Sequence, residues 1–387
     1  MKRAAIIVLD GLGIGATSDQ DAYGDAGSDT LGNVARAVGG LKLPNLERIG
    51  LGLCRPLEGM ARPAQPSGAH GVALPSSHGK DSTTGHWEIC GVLLERAFAT
   101  YPHGFPGALL DAFSARTGRG WIGNTAASGT AIIAELGEQH QRTGKWIVYT
   151  SADSVFQVAA HEDTVPLAEL YQACAAARDL LQGDEAVSRV IARPFNGMPG
   201  HYQRTAGRKD FSIEPTGVTL LDRLADAGIP RVGIGKVDDL FAGRNITSEH
   251  TPTNPDAYRL IERALETLES GFIFVNVIEF DQTWGHRNDV PGFHEGLRQL
   301  DMWVPRLEAR LLEDDLIIIT ADHGNDPTTP STDHSREAVP VLVLGKRVRP
   351  VALGERSTFA DLGATVAEFF GMPTLAAGRS FLREVWA

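Results

Sequence analysis

Short apolar runs rich in valine and isoleucine recur along the chain. Ala4 to Asp10, Trp146 to Asp153, Val232 to Lys236, Phe272 to Asp281, Asp315 to Asp322 and Val339 to Leu344 each read as a strand buried on both faces. Between them the period changes to that of a helix. From His294 to Leu312, the residues Leu297, Leu300, Val304, Leu307 and Leu311 follow at spacings of three and four and share one side of a helix. Leu167 to Leu181, Gly217 to Ala227, Pro255 to Leu268 and Phe359 to Phe370 read the same way. This alternation predicts an α/β fold with a mostly parallel central sheet flanked by helices. The stretch from Met60 to Ser82 is rich in Gly, Pro, Ser and His with weak periodicity, and reads as a long ordered loop leading into a site. Gly/Pro-rich turns at Tyr101 to Gly107 and Phe195 to Gly200, with polar residues on to Asp210, point to a separate α/β cap between them.

Composition narrows the classes. A chain of 387 residues ordinarily divides into two domains or one domain with a large insertion. Hydrophobic residues are 42% and charged residues 22%, as in globular proteins, and no apolar run approaches the roughly 20 residues of a membrane span. A soluble protein with no membrane partner is expected. The N-terminal MKRAAIIVLDGLGIG has a basic start and an apolar stretch, but that stretch ends in an Asp without a small-residue cleavage site. A first strand explains it better than a signal peptide, and the expected location is the cytoplasm. Cys54, Cys90 and Cys174 are far apart and form no CxxC, so they read as buried thiols, not disulfides or thiolate ligands. A net charge of −12 without clustered Lys and Arg disfavours nucleic acid. An anionic substrate then needs local positive charge, which bound cations can supply.

Three of the apolar strands end in Asp: IIVLD at Asp10, VNVIEFD at Asp281 and LIIITAD at Asp322. One such Asp is readily a turn residue or a helix cap. Three together matter, because ligands of open parallel sheets bind beyond the carboxyl ends of the strands. Asp281 is followed by His286, and Asp322 by His323 and later His334. Carboxylates and imidazoles suit first-row divalent ions, and these six residues are enough for two cations with an oxygen between them. His70, His78, His103, His140, His161, His201, His250 and His294 read as structural or surface residues. The segment HGKDSTTGHWEICG, His78 to Gly91, offers Ser82, Thr83 and Thr84 as hydroxyl nucleophiles. Coordination to a divalent ion lowers the pKa of a bound oxygen enough to make an alkoxide accessible.

Together with GDAGSDTLGN (Gly24 to Asn33), IGNTAASGTAII, YTSADSVFQVAAHE, VIARPF, GKVDDLFAG, GHRNDV, TADHGNDPT and TDHSREAVPVLV, these motifs resemble the phosphopentomutases, a family of the alkaline phosphatase superfamily. The resemblance runs in order over almost the whole chain. It implies an alkaline-phosphatase-like catalytic core from residues 1–97 and 213–387, with residues 98–212 as an inserted cap. It further implies one metal on Asp10, Ser82, Asp322 and His323 and another on Asp281, His286 and His334, the usual ion being manganese. By the same likeness Ser82, four before the His of GHWE, is the nucleophile; the family pattern has threonine there, and related superfamily members use serine. Ser151, Asp153, Val155 and Ile191 are implied to line a sugar pocket, with Lys236 and Arg204 or Arg208 on the distal phosphate.

The implied activity is that of an isomerase acting on pentose phosphates. It interconverts ribose or deoxyribose 1-phosphate and 5-phosphate through a phosphoserine and a bisphosphate, with a sugar bisphosphate as a candidate activator. A metal-dependent phosphatase or a mutase of phosphoglycerate would use the same core with another cap, and the SADSV segment favours a pentose. A metal-binding module without catalysis is the alternative from another class. The oligomeric state is not legible.

Overall fold

The computed structural model describes residues 2–151 and 154–387. Two compact units divide the chain, Met1–Ala97 with Pro215–Ala387, and Phe98–Glu214. The return to the larger unit thus follows Glu214, where the sequence-based boundary lies after residue 212. In chain order β1 (Arg3–Leu9) and β2 (Ala69–Ala73) belong to the larger unit. The smaller unit holds β3 (Trp121–Ala126), β4 (Trp146–Thr150), β5 (Val155–His161), β6 (Arg189–Asn196), β7 (Gln203–Arg204) and β8 (Lys209–Ser212). The larger unit is completed by β9 (Arg231–Ile234), β10 (Ser248–Glu249), β11 (Gly271–Val277), β12 (Asp315–Thr320), β13 (Val339–Leu344) and β14 (Ala352–Arg356).

The eight strands of the larger unit form one sheet in the order β10-β9-β11-β1-β12-β13-β2-β14. Only β13 runs against its neighbours; every other pair is parallel. The three central strands β11, β1 and β12 are buried at every residue, as strands covered on both faces must be. Their register aligns Leu9 with Val277 and Val8 with Thr320, so all three chains leave the sheet at the same edge. The site is built there.

A helix spans Val290–Glu308 and buries Leu297, Leu300, Val304 and Leu307. It starts earlier than the period suggests, because Asp289 caps it by accepting from the Gly292 amide. Leu311 falls beyond its end. The stretch from Met60 to Ser82 is not all loop, since β2 lies inside it and pairs with β13 and β14. Its sequence AHGVA holds one β-branched residue, so the tertiary pairing and not local propensity makes the strand.

The smaller unit is an α/β layer of its own, with strand order β3-β4-β5-β6-β7 and β8 on β6. On one face the helix Gly129–Thr143 packs Ile132 and Ile133 with Ile147, Tyr149 and Phe195. On the other, the helices Gly107–Thr117 and Leu167–Leu180 bury Phe113, Leu170 and Cys174 with Trp146 and Phe156. The strand expected over Trp146 to Asp153 ends at Thr150, and Asp153 lies outside the described residues. The whole is the expected class, an α/β fold with a mostly parallel sheet flanked by helices. All three cysteines are free thiols, and Cys54 is only half-buried. No helix among the described residues is long and apolar enough to cross a membrane.

Candidate metal centre

Asp10 follows the last residue of β1, and its amide donates to the Val277 carbonyl at the end of β11 at 3.1 Å. Asp322 comes two residues after β12. Asp281 stands on a π-helical turn, Phe280–Trp284, a local widening of the helix that recurs at functional sites. All three carboxylates are buried. The donor atoms of Asp10, Asp281 and His323 lie within 4.8 Å of one another, as do those of Asp281, His286 and His334. Asp281 is therefore common to both groups and joins them.

The histidines are aimed. His323 Nδ1 is 3.0 Å from the Gly324 carbonyl and His286 Nδ1 is 2.6 Å from the Thr332 carbonyl. A carbonyl accepts only, so Nδ1 carries a proton in both and Nε2 is the nitrogen turned to the cluster, where a cation would displace any proton it holds. His323 Nε2 lies 3.3 Å from Asp10 Oδ1 and 3.5 Å from Asp322 Oδ2. His286 Nε2 is 3.2 Å from Asp281 Oδ2, and His334 Nε2 is 3.3 Å from Asp281 Oδ1.

Crowding shows in the titration of these groups. Burial, then the charges of Asp322 and Asp281, raises Asp10 above the ordinary carboxylate range. Burial pushes Asp281 up as well, but His334 and His286 outweigh it and hold the group well below that range. Burial opposes charge on His323, yet Asp322, Asp10 and Asp281 together raise it well above an ordinary imidazole. Asp322 Oδ2 accepts no aligned hydrogen bond among the described residues, although His86 Nδ1 is 3.1 Å away. Buried carboxylates held this close ask for a cation. Donor atoms 3.2–3.5 Å apart are spaced as the edges of coordination shells with bonds of about 2.1 Å. The residue set fits divalent ions.

Ser82 opens the helix Ser82–Ile89, whose cap Asp81 accepts from the Thr84 amide at 3.1 Å. Ser82 Oγ lies 3.2 Å from Asp10 Oδ1 and 3.1 Å from His323 Nε2. Thr84 turns its hydroxyl back to Asp81 Oδ2 at 2.6 Å, and Thr83 is buried. Of the three neighbouring hydroxyls, Ser82 thus meets the metal-type donors at the start of a helix, where the backbone dipole favours an anion.

The loop before Ser82 is clamped by residues that the sequence did not single out. Buried Arg336 donates to the carbonyls of Ser77 at 2.7 Å, Gly79 at 2.8 Å and Pro75 at 3.0 Å. Glu88 accepts from the amides of Ser76 and Ser77 at 2.8 and 2.7 Å. Lys80 Nζ pairs with Asp25 at 2.8 Å, and Asp25 accepts in turn from the Arg336 amide. His86, which served only to mark a spacing, has Nδ1 2.9 Å from the Ser82 carbonyl. Two histidines read as structural are so: His140 Nε2 accepts from the His161 amide, and His161 Nε2 sits 3.0 Å from the Gly197 carbonyl.

The remaining expected residues are divided between the units. Lys236 ends the segment after β9 in the larger unit. In the smaller unit Ser151 follows β4, while Val155 and Ile191 are buried on the parallel neighbours β5 and β6. Arg204 is exposed on β7, and Arg208 forms a two-point pair with Asp210. Arg193, absent from the sequence-based set, stands beside them. Burial and the charges of Arg208 and Arg204 lower its pKa. The signal was present in VIARPF as an Arg inside a buried strand.

A family model described as Metalloenzyme superfamily matches residues 2–374. The class is that of a metalloenzyme, in accord with the clustered carboxylates and imidazoles. The phosphopentomutase of Carboxydothermus hydrogenoformans is 53% identical over 387 residues, covering 100% of both chains. That of Anaeromyxobacter sp. (strain K) is 54% identical over 386 residues, 99% of each chain. A solved structure from Pyrococcus horikoshii aligns over 97% of this chain and 99% of its own, with a TM-score of 0.51 at 15% identity, a likeness of fold. The chain belongs to the phosphopentomutase family, and is an isomerase of the intramolecular phosphotransferase kind.

Proposed function

We propose that this enzyme interconverts the 1-phosphates and 5-phosphates of ribose or deoxyribose through phospho-Ser82 and a sugar bisphosphate. The observation that carries the reading is Ser82 Oγ, set 3.1 Å from His323 Nε2 and 3.2 Å from Asp10 Oδ1 at a helix N-terminus. Asp10, Ser82, Asp322 and His323 would hold one divalent cation and Asp281, His286 and His334 the other. Bound there, two cations, manganese by family resemblance, supply charge neutralisation for phosphoryl oxygens. Asp281 ties the two sets together.

In the first half-reaction a free hydroxyl of the pentose phosphate forms a bond to the phosphorus of phospho-Ser82, and the bond from phosphorus to Oγ breaks. The proton released by the sugar hydroxyl returns to Oγ. The bisphosphate turns, and Ser82 Oγ forms a bond to the phosphorus of its other phosphate as the bond from that phosphorus to the sugar oxygen breaks. The Oγ proton passes to that oxygen, and the isomer leaves the regenerated phosphoenzyme. Phosphoryl transfer depends chiefly on positioning and charge. The Arg336 and Glu88 clamps supply the positioning of the Ser82 loop. Ser151, Asp153, Val155 and Ile191 are assigned to the sugar, and Lys236, Arg204 and Arg208 to the distal phosphate; a sugar bisphosphate serves as activator by loading Ser82.

Phosphorus NMR of ribose 1-phosphate with enzyme and Mn2+ tests this. The expected result is conversion to ribose 5-phosphate with inorganic phosphate as a minor product. Stoichiometric release of inorganic phosphate without the 5-phosphate would instead make the protein a phosphatase.

A further inference from the structure

Strand β11, GFIFVNV, holds a single polar side chain, Asn276, opposite Val8 of β1 and fully buried. Its Nδ2 donates to Asp10 Oδ2 at 3.1 Å and lies 3.4 Å from His86 Nε2. Its Oδ1 has no hydrogen-bond partner among the described residues. Asn325 repeats the arrangement on the other side of the cluster. It too is fully buried, donates from Nδ2 to Asp281 Oδ1 at 2.7 Å, and has an Oδ1 without such a partner.

A buried amide with half its hydrogen-bonding capacity unused destabilises the fold relative to an apolar residue of the same shape. Stability alone does not account for either asparagine. Each gives its carboxylate a neutral donor. Asp10 offers Oδ1 to Ser82 and His323, while Asn276 holds Oδ2 behind. A lysine or arginine in these places would neutralise the carboxylate and compete with a divalent ion. An amide restrains the oxygen and leaves the full charge for the ion.

We propose that Asn276 and Asn325 are positioning residues, one for each cation site, Asn276 fixing the carboxylate of Asp10 and Asn325 that of Asp281. This rests on the assignment of those carboxylates as metal ligands. The test is titration of the full-length metal-free protein with Mn2+, following the free ion by electron paramagnetic resonance. Asn276→Leu and Asn325→Leu each bind one of two ions about 10- to 100-fold more weakly than the parent. The melting temperature without metal is no lower than that of the parent. Where a leucine variant does not fold, the alanine variant, which also lacks the donor, takes its place.

Parent affinity for both ions in the asparagine variants overturns the inference. So does a lowered metal-free melting temperature with Mn2+ binding unchanged, which is the mark of a purely structural role. Asp281→Ala separates the two layers. If it loses an ion while the asparagine variants do not, only the inference falls; if it keeps both ions at parent affinity, the ligand assignment falls with it.

Discussion

Glu337 is almost wholly buried and accepts from the Thr30 amide at 2.9 Å, the Thr30 hydroxyl at 2.7 Å, the Ser335 hydroxyl at 2.7 Å and the Gly15 amide at 3.1 Å. It ties the loop after β1 to the segment carrying His334. Burial raises its pKa to about 7 from the ordinary 4.5 in spite of those donors. The folded protein therefore holds this proton more tightly than the unfolded chain. Its contribution is fully present below about pH 4.5 and is lost as pH rises to about 7, with a slope of at most about 1.4 kcal/mol per pH unit. Denaturant unfolding of Glu337→Gln across this window should show a lower stability but a flatter profile than the parent. Parallel profiles would refute the assignment. Single residues also mark where sequence reading stopped. Asp10, Asp281 and Asp322 were legible because each ends an apolar run, whereas Asn276 lies inside such a run and was not singled out.

The helix Ser82–Ile89 shows how an element is placed by what it lacks. A Cβ on Gly85 would stand 2.3 Å from the Asp322 carbonyl oxygen and 2.7 Å from Asp322 Cβ, so only glycine lets this helix approach the strand end. Alanine is the better helix former by about 1 kcal/mol, so loss of function in Gly85→Ala would not come from a weaker helix. The variant should remain folded while the helix moves off Asp322 and carries Ser82 with it. A displacement of about 1 Å can reduce turnover about 100-fold. Steady-state kinetics with a melting curve will check this, and undiminished turnover would contradict it. The major core strands and the long helix were legible from their periods. β2 was not, because AHGVA pairs between β13 and β14 without a strong propensity of its own. The clamp of Arg336 on Ser77, Gly79 and Pro75 was hidden as well, since its partners are carbonyls that leave no trace in the residue types.

At the scale of the molecule, the larger unit takes strands from both ends of the chain, and the carboxylates and imidazoles that could hold a metal span Asp10 to His334. The central register gathers what the sequence scatters. The family resemblance supplied the pairing of those ends with an insert, which periodicity alone left as two weak Gly/Pro-rich boundaries. The central claim is that catalysis runs through one hydroxyl in this gathered set. It is tested most directly by mass spectrometry of the enzyme after exposure to a pentose bisphosphate and Mn2+. We predict one phosphate on Ser82, none on the Ser82→Ala protein, and loss of mutase turnover in that variant with Thr83 and Thr84 untouched. Phosphate on Thr83 or Thr84, or an active Ser82→Ala enzyme, would contradict the account.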